Sequence, residues 1–372
     1  MYFRKTIPVS APILPRKART YLNDCIKTGW ISSAGKYVGL FEKKFATYIG
    51  VPHAITAPSG TTALHLGLTA LGISKGDEVI VPSFTMIAPV FAILYVGAKP
   101  VLVDSEIDTW NMNVSEVEKK ITKKTRAILA VHIYGHPVDM DPLKRLAKKH
   151  KLLLIEDCAE ALGAEYKGEK VGSLGDIGCF SFYANKIIST GEGGMVTTKS
   201  QTLAKRLLSL KDMAHSPKKR FLHLEVGFTY RLSNLQAAVG LAQTEEVERL
   251  MAKKREIATL YTKSLARVPG IVLPVEMPWA KNSYWMYGIL VRKPFKFTKD
   301  ALRRHLQKQN IETRDFFIPM HEQPVFKKLG LFKREKYPVA ELLSKQGLYL
   351  PSGPNISISQ IKKVISAIKA IV

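Results

Sequence analysis

Long apolar runs are missing from this chain of 372 residues. The longest, Met86 to Ala98, falls well short of the roughly 20 residues that a membrane-spanning helix needs. The N-terminal stretch MYFRKTIPVSAPILP has basic residues but no continuous apolar segment, and prolines break it, so no signal peptide is expected. Cysteine is scarce. Cys25, Cys158 and Cys179 form neither a CxxC pair nor a disulfide framework, which suits a reducing compartment and argues against a cysteine-held zinc. The expectation is a soluble, cytoplasmic protein without a metal site. Two nucleotide fingerprints are also lacking. No GxGxxG occurs, and GWISSAGK has one residue too many between its glycines for a P-loop, with Tyr37 where Ser or Thr is required.

Acidic residues are few: 31 Asp and Glu stand against 56 Lys and Arg, a formal net charge of +25. The excess recurs in short clusters at 119–126, 144–151, 218–220, 253–255 and 303–304. Most fall in amphipathic, helix-like stretches and read as solvated faces. A diffuse positive potential favours polyanionic small substrates; a basic nucleic-acid or regulatory binder is the other reading of the same charge. With 46% hydrophobic and 23% charged residues, the composition is that of a globular protein and excludes disorder as the main state. The length accommodates a large α/β domain and a smaller one.

Helix-like and strand-like segments alternate between residues 40 and 200. Helical periodicity marks Phe41 to Ile49, Thr62 to Leu71, Ala88 to Tyr95 and Met140 to His150. Short apolar strands are expected at Glu78 to Pro82, Lys99 to Val103, Ala127 to His132, Leu152 to Glu156 and Gly178 to Phe182. Such alternation implies a mostly parallel sheet covered on both faces, with ligands beyond the carboxyl ends of its strands. One long helix is expected from Ser233 to Leu265, with Ser233 as its cap. Beyond the Pro/Gly-rich segment Pro269 to Pro278 lie a strand (Trp285 to Val291) and helices at Lys299 to Gln309 and Ile358 to Ile371. A large domain over 1–245 and a small α+β domain over 246–372 are expected, joined by the helix near 233–265.

The densest cluster of rare features is IEDCAEALGAEYKGEKVGSLGDIGCFSFYANKIISTGEGGMV, from Ile155 to Val196. Asp157 ends an apolar strand, where a carboxylate projects from the sheet edge; it could equally cap a helix, with Glu160 completing a reciprocal cap. Ser181 ends the next strand, and Lys186 follows before glycines that permit a tight backbone. A lysine amine near a strand-end carboxylate and a phosphate-sized pocket meets the needs of a Schiff-base cofactor. Ser59-Gly60-Thr61-Thr62 opens an apolar helix, and its free N–H groups and hydroxyls suit an anion or a simple helix cap.

In order, SGTTALHL, GDEVIVPSFT, AVHIYGHPVDM, IEDCAEALGA, SFYANKIISTGEGGMV, YRLSNLQAAVGLAQ and IETRDFFIPMHEQP resemble the DegT/DnrJ/EryC1/StrS family of pyridoxal-phosphate sugar-nucleotide aminotransferases. SYWMYGI and the lysine segment look most similar to its GDP-perosamine synthase branch. The resemblance implies an aspartate aminotransferase-like fold of type I and pyridoxal 5′-phosphate as cofactor. It makes Lys186 the catalytic Schiff-base lysine and Asp157 the partner of the pyridine nitrogen, which keeps the ring an electron sink. Gly60, Thr61 and Ser181 would hold the phosphate, with Glu160 near the ring oxygen. Arg231, Arg314 and His321 match substrate positions, and Trp30 and Ser33 lie in a matching substrate-side loop. Three positions depart from the pattern. Met86 replaces the aromatic residue stacked on the ring, Thr229 replaces an asparagine that reaches the phosphate from a neighbouring subunit, and Asp315 replaces a proline. Lys186 is intact, which argues against the family's dehydratase branch.

The implied reaction passes an amino group from L-glutamate to C4 of a nucleotide-linked 4-keto-6-deoxyhexose, with GDP-4-keto-6-deoxy-D-mannose as the acceptor and GDP-perosamine as the product. A dTDP- or UDP-linked acceptor, or amination at C3, remains open from sequence. The resemblance further implies a homodimer with shared active sites, and a place in deoxyamino-sugar biosynthesis for lipopolysaccharide O-antigen.

Overall fold

The computed structural model describes residues 6–219 and 221–371. Helices Arg16–Thr28 (α1) and Lys36–Ile49 (α2) lead to strand His53–Ala57 (β1) and helix Gly60–Ala70 (α3). Strand Glu78–Pro82 (β2), helix Ala88–Tyr95 (α4) and strand Lys99–Val103 (β3) come next. After the single turn Val114–Val117 (α5) run strand Thr125–Val131 (β4), helix Met140–His150 (α6) and strand Leu153–Asp157 (β5). A small ribbon, Glu165–Tyr166 (β6) with Glu169–Lys170 (β7), precedes strands Ile177–Ser181 (β8) and Gly194–Thr198 (β9) and helix Gln201–Lys211 (α7).

Seven of these strands form one sheet in the order β1-β9-β8-β5-β4-β2-β3. The pairs among β3, β2, β4, β5 and β8 are parallel. Strand β9 runs antiparallel to both its neighbours, so β1 points the same way as β8. The sheet is therefore mostly parallel, as the alternation of segments predicts, with one reversed strand. Its central strands read as unbroken apolar runs because helices cover both faces: all of Ala127, Ile128, Leu129 and Ala130 are fully buried.

The segments with clean local signals lie where expected: β2, α4, β3 and α6 match to the residue. Others differ by a few positions. Helix α2 begins five residues before Phe41 because Asn234 Oδ1, from a distant helix, accepts the Tyr37 N–H at 2.9 Å and holds the first turn. The long helix expected over Ser233 to Leu265 is two helices, Asn234–Glu245 (α8) and Val247–Leu265 (α9), parted at Glu246 (φ −108°, ψ 5°). Ser233 does cap α8, in a reciprocal box with Gln236. The break has a packing cause. Helix α8 and the start of α9 (Val247, Leu250, Met251) face the large core under the main sheet, whereas Ile257, Ala258, Tyr261 and Leu265 enter a second core.

That second core is built around a four-stranded antiparallel sheet of Ile271–Val272 (β10), Tyr287–Val291 (β12), Gly347–Leu350 (β14) and Arg314–Asp315 (β13). Ala280–Lys281 (β11) instead pairs with β6. Helices Lys299–Lys308 (α10) and Ile358–Lys369, the C-terminal helix, pack on the four-stranded sheet. Ile7 also belongs to this core and pairs with Ile311, so the first described residues pack with the C-terminal part. No helix among the described residues is long and apolar enough to cross a membrane.

Candidate active site

The carboxyl ends of β1, β2, β4, β5 and β8 all open on one edge of the main sheet. There they line a cavity of about 410 Å³, joined by Lys186 from the β8–β9 connection and by Trp285 from the segment entering β12. Convergence of polar groups in an apolar-walled cavity at strand ends is the usual geometry of a ligand site in such sheets.

One side of the cavity is the start of α3. Ser59 closes a reciprocal cap there: its Oγ accepts from Thr62 N at 3.2 Å and its N–H donates to Thr62 Oγ1 at 2.9 Å. The cap consumes Ser59 and leaves the amides of Gly60 and Thr61, which have no intrahelical acceptor, facing the cavity end. Gly60 is required by contact, since a Cβ on it would sit 2.7 Å from Ser181 Cβ. Gly194 is required in the same way, its Cβ falling 2.2 Å from the Ser59 carbonyl oxygen. The two glycines let β1, β8 and β9 close up so that Ser181, whose Oγ accepts from Tyr183 N at 3.3 Å, lies beside the helix N-terminus. Backbone amides, hydroxyls and a helix dipole together make an anion subsite.

The cavity floor is acidic. Asp157 is 5% exposed, and its carboxylate accepts a single described hydrogen bond, from Ala159 N at 2.9 Å. Burial pushes its pKa up, against the Ala159 N–H and the Lys186 charge, which pull it down. Glu160 accepts from Tyr134 N at 2.9 Å, and burial raises its pKa to about 7. Residues 158–163 form turns, not a helix, so Asp157 and Glu160 do not make the reciprocal cap that their spacing allows. Both are instead held at the cavity. Burial pushes the Lys186 amine below the ordinary lysine range, while Glu160 and Asp157 push it back up. A buried amine and two buried carboxylates with displaced proton affinities are what acid–base chemistry at one site requires.

The sequence profile of the DegT/DnrJ/EryC1/StrS aminotransferase family matches residues 13–369. The chain belongs to this family. It is 46% identical to the GDP-perosamine synthase of Escherichia coli O157:H7, over 98% of each chain. With the GDP-perosamine synthase of Vibrio cholerae the identity is 43%, again over 98% of each. Among solved structures it is similar to S. venezuelae DesV, determined in complex with a ketimine intermediate. The TM-score is 0.89 at 36% identity, covering 95% of this chain and 93% of that one.

Aminotransferases of this family work with pyridoxal phosphate, and the cavity residues fit that group. The α3 N-terminus with Ser181 suits its phosphate, Asp157 its ring nitrogen and Lys186 its carbonyl carbon. Two buried oxygens on the cavity wall, Thr85 Oγ1 and Asn185 Oδ1, have no hydrogen-bond partner among the described residues, as befits a wall whose polar partners belong to a ligand. Met86, at the position where the family has an aromatic ring, lines the same cavity and is 46% exposed.

Gly60, Thr61, Met86, Asp157, Glu160, Ser181 and Lys186 are thus brought together in one chain. The other expected site residues do not line this cavity. Thr229 is exposed and bridges to Asp212, and Arg231 is ion-paired with Asp212. Trp30 is 57% exposed, beside a separate hollow of about 200 Å³ at the start of α2. Ser33 is half-buried in the same turn. Arg314 is exposed on β13, 3.5 Å from Glu312. His321 is buried with both ring nitrogens engaged, Nδ1 with Ser83 Oγ at 2.9 Å and Nε2 with Glu341 Oε1 at 3.2 Å. It ties the end of β2 to helix Pro338–Gln346, so within one chain its position is that of a structural clamp. The residue that sequence reasoning missed is Trp285, whose ring centre lies 3.7 Å from Lys186 Nζ. Its signal was present in SYWMYGI, but only as a family marker.

Proposed function

We propose that the protein transfers the amino group of L-glutamate to C4 of GDP-4-keto-6-deoxy-D-mannose, giving GDP-perosamine. The observation that carries the chemistry is the Lys186 amine set between Asp157 and Glu160 at the strand-end cavity; the acceptor rests on 46% identity to a GDP-perosamine synthase across nearly the whole chain. When bound, pyridoxal phosphate supplies the carbonyl that takes up the amino group and the ring that spreads the charge of the deprotonated carbon. Asp157 would hold the ring nitrogen protonated. Gly60, Thr61 and Ser181 would hold the phosphate, and Met86, on the same cavity wall, would offer a thioether to the ring. Lys186 Nζ takes the proton from the Cα of L-glutamate and, in the second half-reaction, returns one to C4 of the sugar. An amine displaced below the ordinary lysine range is better matched to both transfers than a free lysine.

A homodimer working in the cytoplasm belongs to the same reading. Thr229 and Arg231 adjoin an exposed apolar segment, with Leu224 64% and Val226 86% exposed. A second copy covering that surface would bring Thr229 toward a neighbouring phosphate site and Arg231, with Trp30, Ser33, Arg314 and His321, toward the nucleotide sugar. The large domain at 1–245 and the small one at 246–372 belong to the same reading, with α9 opening the second and reaching from the first core into the second.

The test is the absorption spectrum of the protein with pyridoxal phosphate. L-Glutamate should bleach the cofactor band, and GDP-4-keto-6-deoxy-D-mannose should restore it. Restoration only by dTDP- or UDP-linked ketosugars would overturn the acceptor. The absence of any cofactor band would overturn the chemistry.

A further inference from the structure

We propose that Trp285 is the positioning residue of the Lys186 amine, its indole face holding the ammonium form and setting where Nζ rests in the cavity. The proposal rests on the reading above that Lys186 carries the amino exchange. Lys186 Nζ donates no hydrogen bond to any described residue; its structured contact is the Trp285 ring, 3.7 Å from the ring centre. The charged or titratable groups around it are Asp157 at the end of β5, Glu160 in the turn that follows, and Tyr183 and Glu192 on the same cavity wall. The carboxylates attract the ammonium ion without fixing its direction, whereas a ring face is directional.

The ring itself is fixed from two sides. Trp285 is 5% exposed, and its indole N–H donates to the carbonyl oxygen of Asn185, the residue next to Lys186, at 2.9 Å. Its own carbonyl accepts from Lys254 Nζ at 2.8 Å, and the same amine donates to the Ser352 carbonyl. Lys254 is 2% exposed and sits on α9, the helix that joins the two cores. The amine is thus located by a residue from the second sheet's segment, locked to the backbone beside the lysine and braced by the connecting helix. Lys186, which would be free of the cofactor from its displacement by L-glutamate until the aminated sugar leaves, would thus have a defined resting place between the two proton transfers.

The experiment uses the full-length protein converted by L-glutamate to its pyridoxamine-phosphate form, in which the Lys186 amine is free. Acetylation of Lys186 by acetic anhydride is followed against pH by peptide mass spectrometry in wild type, Trp285→Phe and Trp285→Leu. Loss of the ring face should lower the pH midpoint of Lys186 labelling by about one unit, and phenylalanine should restore most of the shift. The leucine variant should also lose about tenfold in kcat while its KM for the nucleotide sugar stays within about twofold, the pattern of an interaction spent on the proton transfers and not on binding. Coincident midpoints in wild type and the leucine variant, or a rise in the variant, would overturn the assignment whatever the turnover. Lys186 labelling that pyridoxal phosphate fails to block would instead overturn the proposed function beneath it.

Discussion

Glu156 and Asp157 are neighbours at the end of β5, and both are buried, yet they face different surroundings. Glu156 accepts from His132 Nε2 at 3.1 Å and from the amides of Gly172, Leu174 and Gly175 at 2.9, 2.7 and 2.8 Å. The tautomer of His132 follows from Val138 N–H donating to its Nδ1, so Nε2 carries the hydrogen. Burial alone would raise the Glu156 pKa, but those donors outweigh it and the carboxyl lies below its usual range. The Asp157 carboxylate has one described donor, and its pKa is raised by burial. Alternation along the strand sends one carboxylate to each side. The satisfied one pins the Gly172–Gly175 loop beneath the sheet, and the unsatisfied one is held ready for a cationic partner in the cavity. Burial therefore does not mark a site; burial with missing partners does.

The sharpest way to break this comparison is at the cavity's centre. Lys186→Ala should cut turnover by about a thousandfold or more with an unchanged far-ultraviolet circular dichroism spectrum; appreciable single-turnover transfer from L-glutamate would remove the amine from its role. A paired experiment comes next. Glu156→Gln should destabilise the fold by about 3 kcal/mol, because it breaks a buried charge-assisted network, while each folded molecule keeps most of its activity. Asp157→Asn should leave urea unfolding near wild type and cost about a hundredfold or more in turnover, if the carboxylate has the proposed role of keeping the ring nitrogen protonated. Equal losses of stability in the two variants would erase the contrast.

Glu160 offers a test through pH. Its pKa of about 7 in the fold exceeds the ordinary carboxyl value, so between pH 4.5 and 7 the folded protein binds more protons than the unfolded chain. Stability from this group is then present at low pH and is lost as pH rises through that window, by about 3 kcal/mol at most. Urea midpoints of the cofactor-free protein and of Glu160→Gln should diverge with that sign; parallel profiles would show that Tyr134 N–H satisfies Glu160 as fully as the glycine-loop amides satisfy Glu156. The smallest effect is expected at Met86. Met86→Phe should tighten pyridoxal phosphate by about threefold, a gain in stacking area over a thioether, read by fluorescence titration.

Much of this was legible in order along the chain. Helix α4, strands β2 and β3, and helix α6 are each delimited by local turn residues and a clean period, so their ends need no tertiary information. Asp157, Ser181 and Lys186 were visible because strand ends and glycine-rich turns confine them to one edge of a parallel sheet. The break at Glu246 was not visible, because the helix period continues through it and only the positions of two separate cores require the turn. The cap that Asp157 and Glu160 could form by spacing was left open by the sequence for a related reason: only the fold shows that Tyr134 N–H, from another loop, takes the Glu160 carboxylate.

Amino-acid order by itself determined the five parallel strands β2, β3, β4, β5 and β8, the strand-end edge, and the residue types available there, since periodicity and strand termination are properties of neighbouring residues; β1 and the reversed strand β9 were not among the strands it marked. Tertiary structure alone decided which buried carboxylate is left short of donors and which ring faces the amine. Asp157 is one residue from Glu156 and lacks its donors; Trp285 is about a hundred residues from Lys186 and touches it. Hydrogen-bond supply and close contact are set by what packs across space, and no local pattern records them.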